Sequence, residues 1–552
     1  MEEQLRQIWA DVLFLEPDEI ETDDNLFECK TPPALQMTRL KAFSRLIPAR
    51  SRGDSIKAIR IIGRAADHGL YFDIATLYAN PTIGSLAAVV DGPEASSSRQ
   101  KIGICKGISA SDDLLQRVRL RIEDLGIPQS QAVRAAKLRE DQVEFVEMTA
   151  KGAIGASSAF IYEVHGIDVV GKLQQAIEAL TAKNPVLRTT FVDLDGTYYQ
   201  VLLAEARPKL LVQSGRVQQF TQEASMRVLA AGDATAHYAL VDDGGTSFLV
   251  FSIFHGFFDG FSRALVEQDL VAALESPDSF AQQAERPWYG DFARRLDAEL
   301  DDASARAFWR QYLEGAHVAT IHRGPPGAPR RFDQSLYETV AADVLKGGQI
   351  HLASAITAAW ALALMRRSGA TDIAFTILTL GRLYPYEGID RLPGLLVKDR
   401  PFRLRVQDRA ATVESVLRAV QQDLVSAGEF EHSTPFRDRD RRPLLQSYVN
   451  IKLGASAMEP TRVDGLTLAP RRDLERWESE SQYAVYLEMK PLAGANRFEM
   501  RYHSALIGDA QAAALLRDFV ELLRRLGSCG GSIAVATLLE SVGSQQPMDL
   551  RQ

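Results

Sequence analysis

A histidine and an aspartate in one short segment are the residues whose types and spacing best fit acid–base chemistry. In Phe254–Ser262, His255 stands four residues before Asp259, and Gly260 follows at once. The segment ends an apolar run with the pattern of a buried strand, and polar side chains at the mouth of such a strand often do chemistry. His255 can accept or position a proton near neutral pH. The same spacing is also typical of a structural His–Asp pair, so both interpretations stay open.

A serine at a predicted helix start is the second candidate. Asp54 occupies the N-cap position of a predicted helix, which places Ser55 in the first turn. Free backbone amides and the positive end of the helix dipole stabilise a phosphodiester attached there. The same three-residue pattern commonly does no more than begin a helix. The chemistry therefore permits a phosphorylated prosthetic group on Ser55 without requiring one.

Apolar periodicity predicts the elements that must position these residues. The first 92 residues are mostly helical in pattern, and a charged helical stretch is predicted over residues 112–141. From about residue 155, strands and helices alternate in two similar series, which predicts an α/β arrangement with two related lobes. The predicted strands are Ala159–His165, Phe248–Phe254, Ile373–Leu380 and Tyr483–Met489, and the predicted helices are Val170–Ala182, Arg263–Leu274 and Leu352–Met365.

Size and composition argue against several classes of partner. The chain has 552 residues and a net charge of -9, and its Lys and Arg are spread throughout, which argues against nucleic acid. Cys29, Cys105 and Cys529 are far apart and form no CxxC pair, which argues against a disulfide framework and a metal site. No apolar run is long enough to span a bilayer, and the acidic N-terminus does not resemble a signal peptide. We expect a cytoplasmic multidomain enzyme that uses no metal and contacts no membrane.

Three blocks in the first 92 residues resemble those of peptidyl carrier domains. They are Asp24–Glu28, Gly53–Ile59 and Leu77–Ile83. The resemblance implies a four-helix carrier bundle over residues 1–92, with 4′-phosphopantetheine bound covalently to Ser55. Residues 29–52 depart from the family pattern, in which the first two blocks almost adjoin. They are either a surface loop or the product of a retained intron in the gene model, and they lie beside the modification site in both cases.

The His255 segment is similar to the His-His-x-x-x-Asp-Gly signature of the condensation domains of nonribosomal peptide synthetases. Further blocks resemble the family in the same order, at Asn184–Phe191, Tyr289–Ala293 and Gly394–Arg403, the last with Lys398 at an Asn position. The resemblance implies a fungal carrier–condensation chain of α+β multidomain type. A linker over 93–111 would lead to a condensation domain over 112–530, followed by a tail over 531–552. Two chloramphenicol-acetyltransferase-like lobes, 112–278 and 279–530, would enclose a tunnel that donor and acceptor enter from opposite faces.

The resemblance also implies roles for individual residues. His255 matches the catalytic histidine, and Asp259 matches a residue that turns away from substrate and pairs with an arginine. Arg382 is our candidate for that arginine, with a surface strand end as its alternative. Gly260 lacks a Cβ and would let the backbone approach the reacting carbonyl. Phe254 replaces the first histidine of the signature, and a phenyl ring cannot make that residue's hydrogen bonds, which leaves the support of the loop open.

These resemblances imply an acyltransferase that forms an amide or ester in secondary metabolism. It would move a phosphopantetheine-bound acyl group to an amine or hydroxyl acceptor, with cyclising release as one variant. No adenylation core or Gly-x-Ser-x-Gly elbow is found. The expected partners are therefore a phosphopantetheinyl transferase, a loading enzyme acting in trans or an upstream synthetase, and a small-molecule amine or alcohol. The alternatives are a carrier-docking protein without catalysis and a coenzyme A-dependent acyltransferase of the same fold.

Overall fold

The computed structural model describes residues 1–13, 15–26, 54–72, 74–90, 112–151, 157–316, 330–342, 352–408, 410–433, 446–452, 458–463, 465–475, 480–481, 483–492, 494–528 and 531–542. The insertion predicted at 29–52, the linker predicted at 93–111 and the three cysteines lie outside these ranges.

Helices near the N-terminus share a hydrophobic core of their own, and we call them the N-terminal helical unit. They are Glu2–Leu13, Asp54–Asp67, Ile74–Ala79 and Ile83–Val90, with a 3-10 turn at Pro17–Glu19. Aliphatic residues recur every three or four positions in the longer helices, so each has an apolar face. The buried core includes Leu5, Trp9, Ile61, Ile62 and Leu86. The predicted helix is confirmed over Asp54–Asp67; Asp54, predicted as its N-cap, is its first residue, and Ser55 lies in its first turn.

The first lobe is built on a six-stranded sheet and a three-stranded sheet. The larger sheet has the order Thr461–Val463, Leu466–Pro470, Ser157–His165, Thr246–Phe254, Ala236–Asp243 and Leu210–Ser214. The smaller has the order Ala132–Lys137, Thr197–Leu203 and Thr189–Leu194. The helices of this part are Asp112–Asp124, Glu140–Ala150, Val169–Lys183, Val217–Ser225, Gly260–Glu275 and Pro277–Ala281. The predicted strands that end at His165 and Phe254 are confirmed.

The single helical stretch predicted over residues 112–141 is wrong. The helix Asp112–Asp124 ends before Gly126, whose φ of 81° is left-handed. The chain then forms the strand Ala132–Lys137, which pairs antiparallel with Thr197–Leu203 at the edge of the smaller sheet. Its buried residues are alanines, which carry little strand propensity, so this charged stretch resembled a helix.

The second lobe carries a mixed six-stranded sheet. Its order is Lys398–Arg405, Asp372–Thr379, Ser447–Ile451, Val485–Leu492, Ala495–Tyr502 and Gln334–Ala341. The helices that share its core are Leu352–Ser368, Val413–Ser426, Asp509–Ser528 and Val535–Ser541. The last of these lies in the stretch that the sequence assigned to a tail. Because Val535, Leu538 and Val542 are buried in the core, the lobe continues past residue 530.

Two strands cross from the second half of the sequence into the sheet of the first lobe. Leu466–Pro470 pairs antiparallel with Ser157–His165, and Thr461–Val463 lies outside it. The crossing hairpin covers backbone groups that a free strand edge would expose. The lobe boundary predicted at residue 278 therefore does not separate the two sheets.

Two further helices are Tyr289–Glu299 and Asp302–Leu313, and the short strands Arg330–Arg331 and Glu480–Ser481 pair antiparallel. Among the residues that the structure describes, no helix is long and apolar enough to cross a bilayer. Within the same ranges, no group of three His, Cys, Asp or Glu side chains is placed to hold a metal ion.

Candidate functional site

The strand Thr246–Phe254 ends at the turn that carries the candidate histidine. A 3-10 turn spans His255–Phe257, and the helix Gly260–Glu275 begins shortly after it. His255 is partly exposed and Gly260 is exposed, whereas the other five residues from 254 to 260 are buried. His255 and Gly260 are therefore the two residues of this segment that are not buried.

The helix Glu140–Ala150 supports this turn with an aromatic ring and an amide. The Phe145 ring stacks on the His255 imidazole, with centroids 4.7 Å apart and planes inclined by 21°. One turn earlier, Gln142 Nε2 donates a hydrogen bond of 3.1 Å to the carbonyl oxygen of Gly256. Gln142 is fully buried, and its Oε1 accepts a backbone N–H at the start of the helix. Its amide is thus held in one orientation, and it supplies polar support to the turn.

Phe254, which stands in place of the first signature histidine, supports the turn by packing. Its ring is buried and meets the Phe257 ring edge-on, with centroids 5.4 Å apart. A Cβ added at Gly256 would lie 2.5 Å from Phe254 Cε1, so the phenyl ring fills the space that a side chain at 256 would need. The ring and the glycine are therefore matched to each other, and the hydrogen bond from Gln142 completes the support.

Burial lowers the pKa of the His255 imidazole from its ordinary value. Backbone acceptors at His255 and Phe258 and the negative charge of Asp259 act in the opposite direction, but desolvation is the larger effect. The ring is therefore neutral at pH 7. A neutral imidazole can accept a proton from an amine or a hydroxyl, so the site is suited to general-base chemistry.

The Asp259 carboxylate is buried and occupied by protein donors. It caps the helix Gly260–Glu275, where Oδ1 accepts from the backbone N–H and the hydroxyl of Ser262, both at 2.7 Å. Its Oδ2 accepts from the backbone N–H groups of Leu396 at 3.1 Å and Val397 at 3.3 Å. The carboxylate therefore anchors the turn and ties the first lobe to the second.

Arg382, the arginine nominated from the sequence, lies against this carboxylate. Its Nη2 is 3.3 Å from Asp259 Oδ2, and both side chains are 0% exposed. Its Nη1 donates to the carbonyl oxygens of Ile389 at 2.8 Å and Leu392 at 2.7 Å. The guanidinium carbon also lies 4.0 Å from the centre of the Phe261 ring. The buried pair thus joins the helix of the candidate site to a loop of the second lobe.

A second buried ion pair joins the lobes through the helix Glu140–Ala150. Lys398 Nζ contacts the carboxylate of Asp141, and both side chains are nearly completely buried. Beside them, Arg139 Nη2 donates to the carbonyl oxygen of His432 at 2.7 Å. Burial lowers the pKa of His432 well below its ordinary value, and the charges of Lys398 and Arg139 act in the same direction. These contacts hold the supporting helix against the second lobe.

Two other predicted site residues lie in different surroundings. Gly260 begins its helix, and a Cβ added there would meet no atom within 4 Å. Space is therefore open beside the backbone at Gly260. Ser55 belongs to the N-terminal helical unit, in the first turn of the helix Asp54–Asp67.

Sequence reasoning missed Gln142, Phe145 and the Lys398–Asp141 pair. Gln142 is 114 residues from Gly256, and Lys398 is 257 residues from Asp141, so no local pattern links the partners. One local signal was available. A glutamine at the third position of a helix is half of a capping box, and it marks the helix start at Glu140.

Comparisons with known proteins identify the family of the two lobes. The condensation-domain family matches residues 139–542 of the chain. Nonribosomal peptide synthetase 8 of Gibberella moniliformis is 27% identical, with 97% of this chain and 99% of that protein covered. Nonribosomal peptide synthetase ALT12 of Alternaria alternata is 28% identical, with 98% and 99% covered. The crystal structure of holo T3CT is similar with a TM-score of 0.60 and 20% sequence identity, over 76% of this chain and 98% of that chain.

The structural similarity confirms the two-lobed, chloramphenicol-acetyltransferase-like fold that the sequence predicted. The family match begins at residue 139, so the identity of the N-terminal helical unit as a carrier bundle stays a prediction. The matched residues include the His255 turn, Arg382 and the two strands that cross into the sheet of the first lobe. The chain therefore belongs to the condensation-domain family, whose members transfer acyl groups in nonribosomal peptide synthesis.

Proposed function

We propose that the chain transfers an acyl group from a thioester to an amine or hydroxyl acceptor beside His255. The observation that carries this proposal is a neutral imidazole, on a residue that is not fully buried, in a rigid turn next to the open backbone of Gly260. In the proposed step, the acceptor nitrogen or oxygen attacks the thioester carbonyl carbon while His255 takes its proton. The new C–N or C–O bond remains as the C–S bond breaks, and the proton passes to the leaving sulfur.

The neighbours of His255 position the reactants and the ring. Gly260 has no Cβ, and the open space beside it gives the acyl carbonyl room to lie against the backbone. Asp259 and Arg382 are occupied by each other and by backbone groups, so we assign them to positioning the turn. A rigid turn favours catalysis because the reacting atoms need no further ordering at the moment of attack.

The donor thioester is proposed to reside on 4′-phosphopantetheine attached to Ser55. The three carrier-like sequence blocks support this assignment, and so does the position of Ser55 in the first turn of a helix, where backbone N–H groups and the helix dipole favour a phosphodiester. When bound, the group supplies a thiol that carries the acyl chain as a thioester. Tethering then raises the local concentration of the donor near the condensation lobes.

The same proposal assigns the partners and the place of action. A phosphopantetheinyl transferase would modify Ser55, and a loading enzyme in trans or an upstream synthetase would supply the acyl group. A small-molecule amine or alcohol would be the acceptor, and the reaction would take place in the cytoplasm. Both relatives named above are nonribosomal peptide synthetases matched over 99% of their length, which supports a role in acyl transfer.

Intact-protein mass spectrometry followed by a transfer assay tests the proposal. With coenzyme A and a phosphopantetheinyl transferase, the wild-type protein should gain one arm and Ser55→Ala none. After loading, His255→Ala should transfer to an amine or alcohol at least about 100-fold more slowly than the wild type. His165→Ala is the matched control, because His165 is an exposed histidine of the same lobe.

Two outcomes would overturn parts of this proposal. An unchanged rate in His255→Ala would indicate a carrier-docking protein without catalysis. Full activity of Ser55→Ala with coenzyme A thioesters would indicate an acyltransferase that needs no arm.

A further inference from the structure

One helix of the N-terminal helical unit has two different faces. Ala58, Ile61, Ile62 and Ala65 of the helix Asp54–Asp67 pack into the core of that unit. The other face, which includes Gly63, Arg64 and Asp67, lies against the 3-10 turn Ile389–Arg391 of the second lobe. We call Ile389–Arg391 the docking turn.

The docking turn meets this helix through complementary charges. Arg391 Nη2 donates to Asp67 Oδ2 at 2.9 Å and to Oδ1 at 3.1 Å. On the adjacent residues the charges are reversed, with Arg64 Nε 3.9 Å from Asp390 Oδ2. Arg64 and Asp67 of the helix therefore each face a residue of opposite charge in the turn. Because the two pairs have reversed charges, a shift of the helix would bring like charges together, so the pattern fixes one register of the contact.

A glycine lets the helix come this close. A Cβ added at Gly63 would lie 3.0 Å from Asp390 Oδ1, so the buried Asp390 side chain fills the place of a side chain on the helix. Apolar contacts flank the charges, because Leu383 and Val425 of the second lobe pack against the core of the N-terminal helical unit. The interface is thus shaped for this helix, in addition to being charged.

The docking turn also holds the arginine of the candidate site. Arg382 Nη1 donates to the carbonyl oxygen of Ile389, and Arg382 Nη2 lies 3.3 Å from Asp259. The Arg382 side chain therefore contacts both the docking turn and Asp259, which anchors the His255 turn. The helix that docks carries Ser55 eight residues before Gly63, which is about 12 Å along its axis.

We propose that the docking turn is the recognition surface by which the condensation lobes select this chain's own helical unit as acyl donor. The inference rests on the proposed function of Ser55 and adds the residues that decide which carrier is served. Partly exposed ion pairs are weak one by one, so the contact can release the unit for loading elsewhere. A carrier with the opposite charges would meet repulsion at the same turn, which gives selectivity.

A charge-reversal cycle tests this proposal. Arg391→Glu places a negative charge opposite Asp67, and we expect transfer from the arm on Ser55 to fall about five-fold or more. Asp67→Arg in the same protein restores an attractive pair and should recover most of the rate. Transfer from a soluble N-acetylcysteamine thioester should be unchanged in both variants, because that donor needs no docking. Arg117→Glu disrupts an exposed ion pair of the first lobe and is the control expected to match the wild type.

The readouts separate this proposal from the proposed function. Intact mass shows whether Ser55 is modified in each variant, and a wild-type protein without the modification would overturn the function assigned to Ser55. Amide hydrogen exchange in residues 389–391 can be measured without modification of Ser55. Protection of these amides should fall in Arg391→Glu and return when Asp67→Arg is added. Equal losses with both donors would place the effect in the reacting site and overturn selection by docking. Unchanged rates and exchange would overturn it as well.

Discussion

At the scale of single residues, the pH dependence of transfer reports the state of His255. The ring acts as a base only while it is neutral, and burial lowers its pKa. We expect kcat/KM for a soluble thioester to be level at pH 7 and to fall at lower pH, with a midpoint below 6.5. Initial rates across the interval from about pH 5 to 8 measure this midpoint.

Removal of the stacked ring gives the matched comparison. Phe145→Leu opens one face of the imidazole to water, which reduces desolvation and should raise the midpoint toward the value of an exposed histidine. A wild-type midpoint at or above 6.5, or a downward movement in the variant, would contradict the assignment of burial as the cause.

Two glycines of the same segment should respond in opposite ways to a methyl group. Gly260→Ala meets open space at the start of a helix, so the fold should be unaffected while transfer slows if the acyl carbonyl lies against this backbone. Gly256→Ala forces Phe254 and Phe145 apart and should destabilise the protein by about 1–3 kcal/mol. Denaturant unfolding and transfer rates on both variants check this, and a rate unchanged in Gly260→Ala would remove the glycine from the reacting site.

At the scale of elements, the helix Glu140–Ala150 sets the geometry of the turn. Gln142→Glu keeps an acceptor for the helix start but loses the donor to Gly256, so the buried carbonyl is left without it. We expect a loss of about 1–3 kcal/mol in the free energy of unfolding. Transfer should slow at least about ten-fold, since a small misplacement of a catalytic group lowers the reaction rate strongly. Gln174→Glu, on another helix of the lobe, provides the comparison.

A positioning role for Gln142 would be contradicted if Gln142→Glu and Gln174→Glu lost equal stability and neither lowered the rate of transfer. A positioning role requires that Gln142→Glu lower kcat more than it changes KM, because the substrate itself is not contacted.

The elements also show what a sequence can predict. The strand that ends at Phe254 and the helix that follows Asp259 were predicted because apolar periodicity is a local property. The pairing of Asp259 with Arg382 could be nominated only through family resemblance, and the structure brings the two side chains together. The role of Gln142 was not predicted because its partner is far away in sequence. The strand Ala132–Lys137 was not predicted because its buried residues are alanines.

At the scale of the whole molecule, buried ion pairs and a strand crossing join the two lobes. The buried pairs of Asp259 with Arg382 and of Asp141 with Lys398 lie beside the candidate site. The strands Thr461–Val463 and Leu466–Pro470 extend the sheet of the first lobe from the second half of the chain. The candidate site depends on these contacts between the lobes, because a shift of one lobe would displace the residues that support His255.

The crossing hairpin can be tested at one glycine. Gly166 follows the strand Ser157–His165 with a φ of 148°, and a Cβ added there would lie 2.6 Å from the Gly465 carbonyl oxygen and 2.7 Å from Leu466 Cδ2. Gly166→Ala combines backbone strain with this overlap and should destabilise the protein by about 3 kcal/mol. Gly465→Ala, which meets no atom within 4 Å, should cost only the left-handed strain of about 1 kcal/mol.

Hydrogen exchange then locates the effect of Gly166→Ala. If the hairpin holds the lobes together, amide protection along Ser157–His165 should fall more in Gly166→Ala than in Gly465→Ala, and transfer should slow with it because the neighbouring strand leads to His255. Equal protection in the two variants would mean that the sheet of the first lobe holds the His255 turn without the crossing strands.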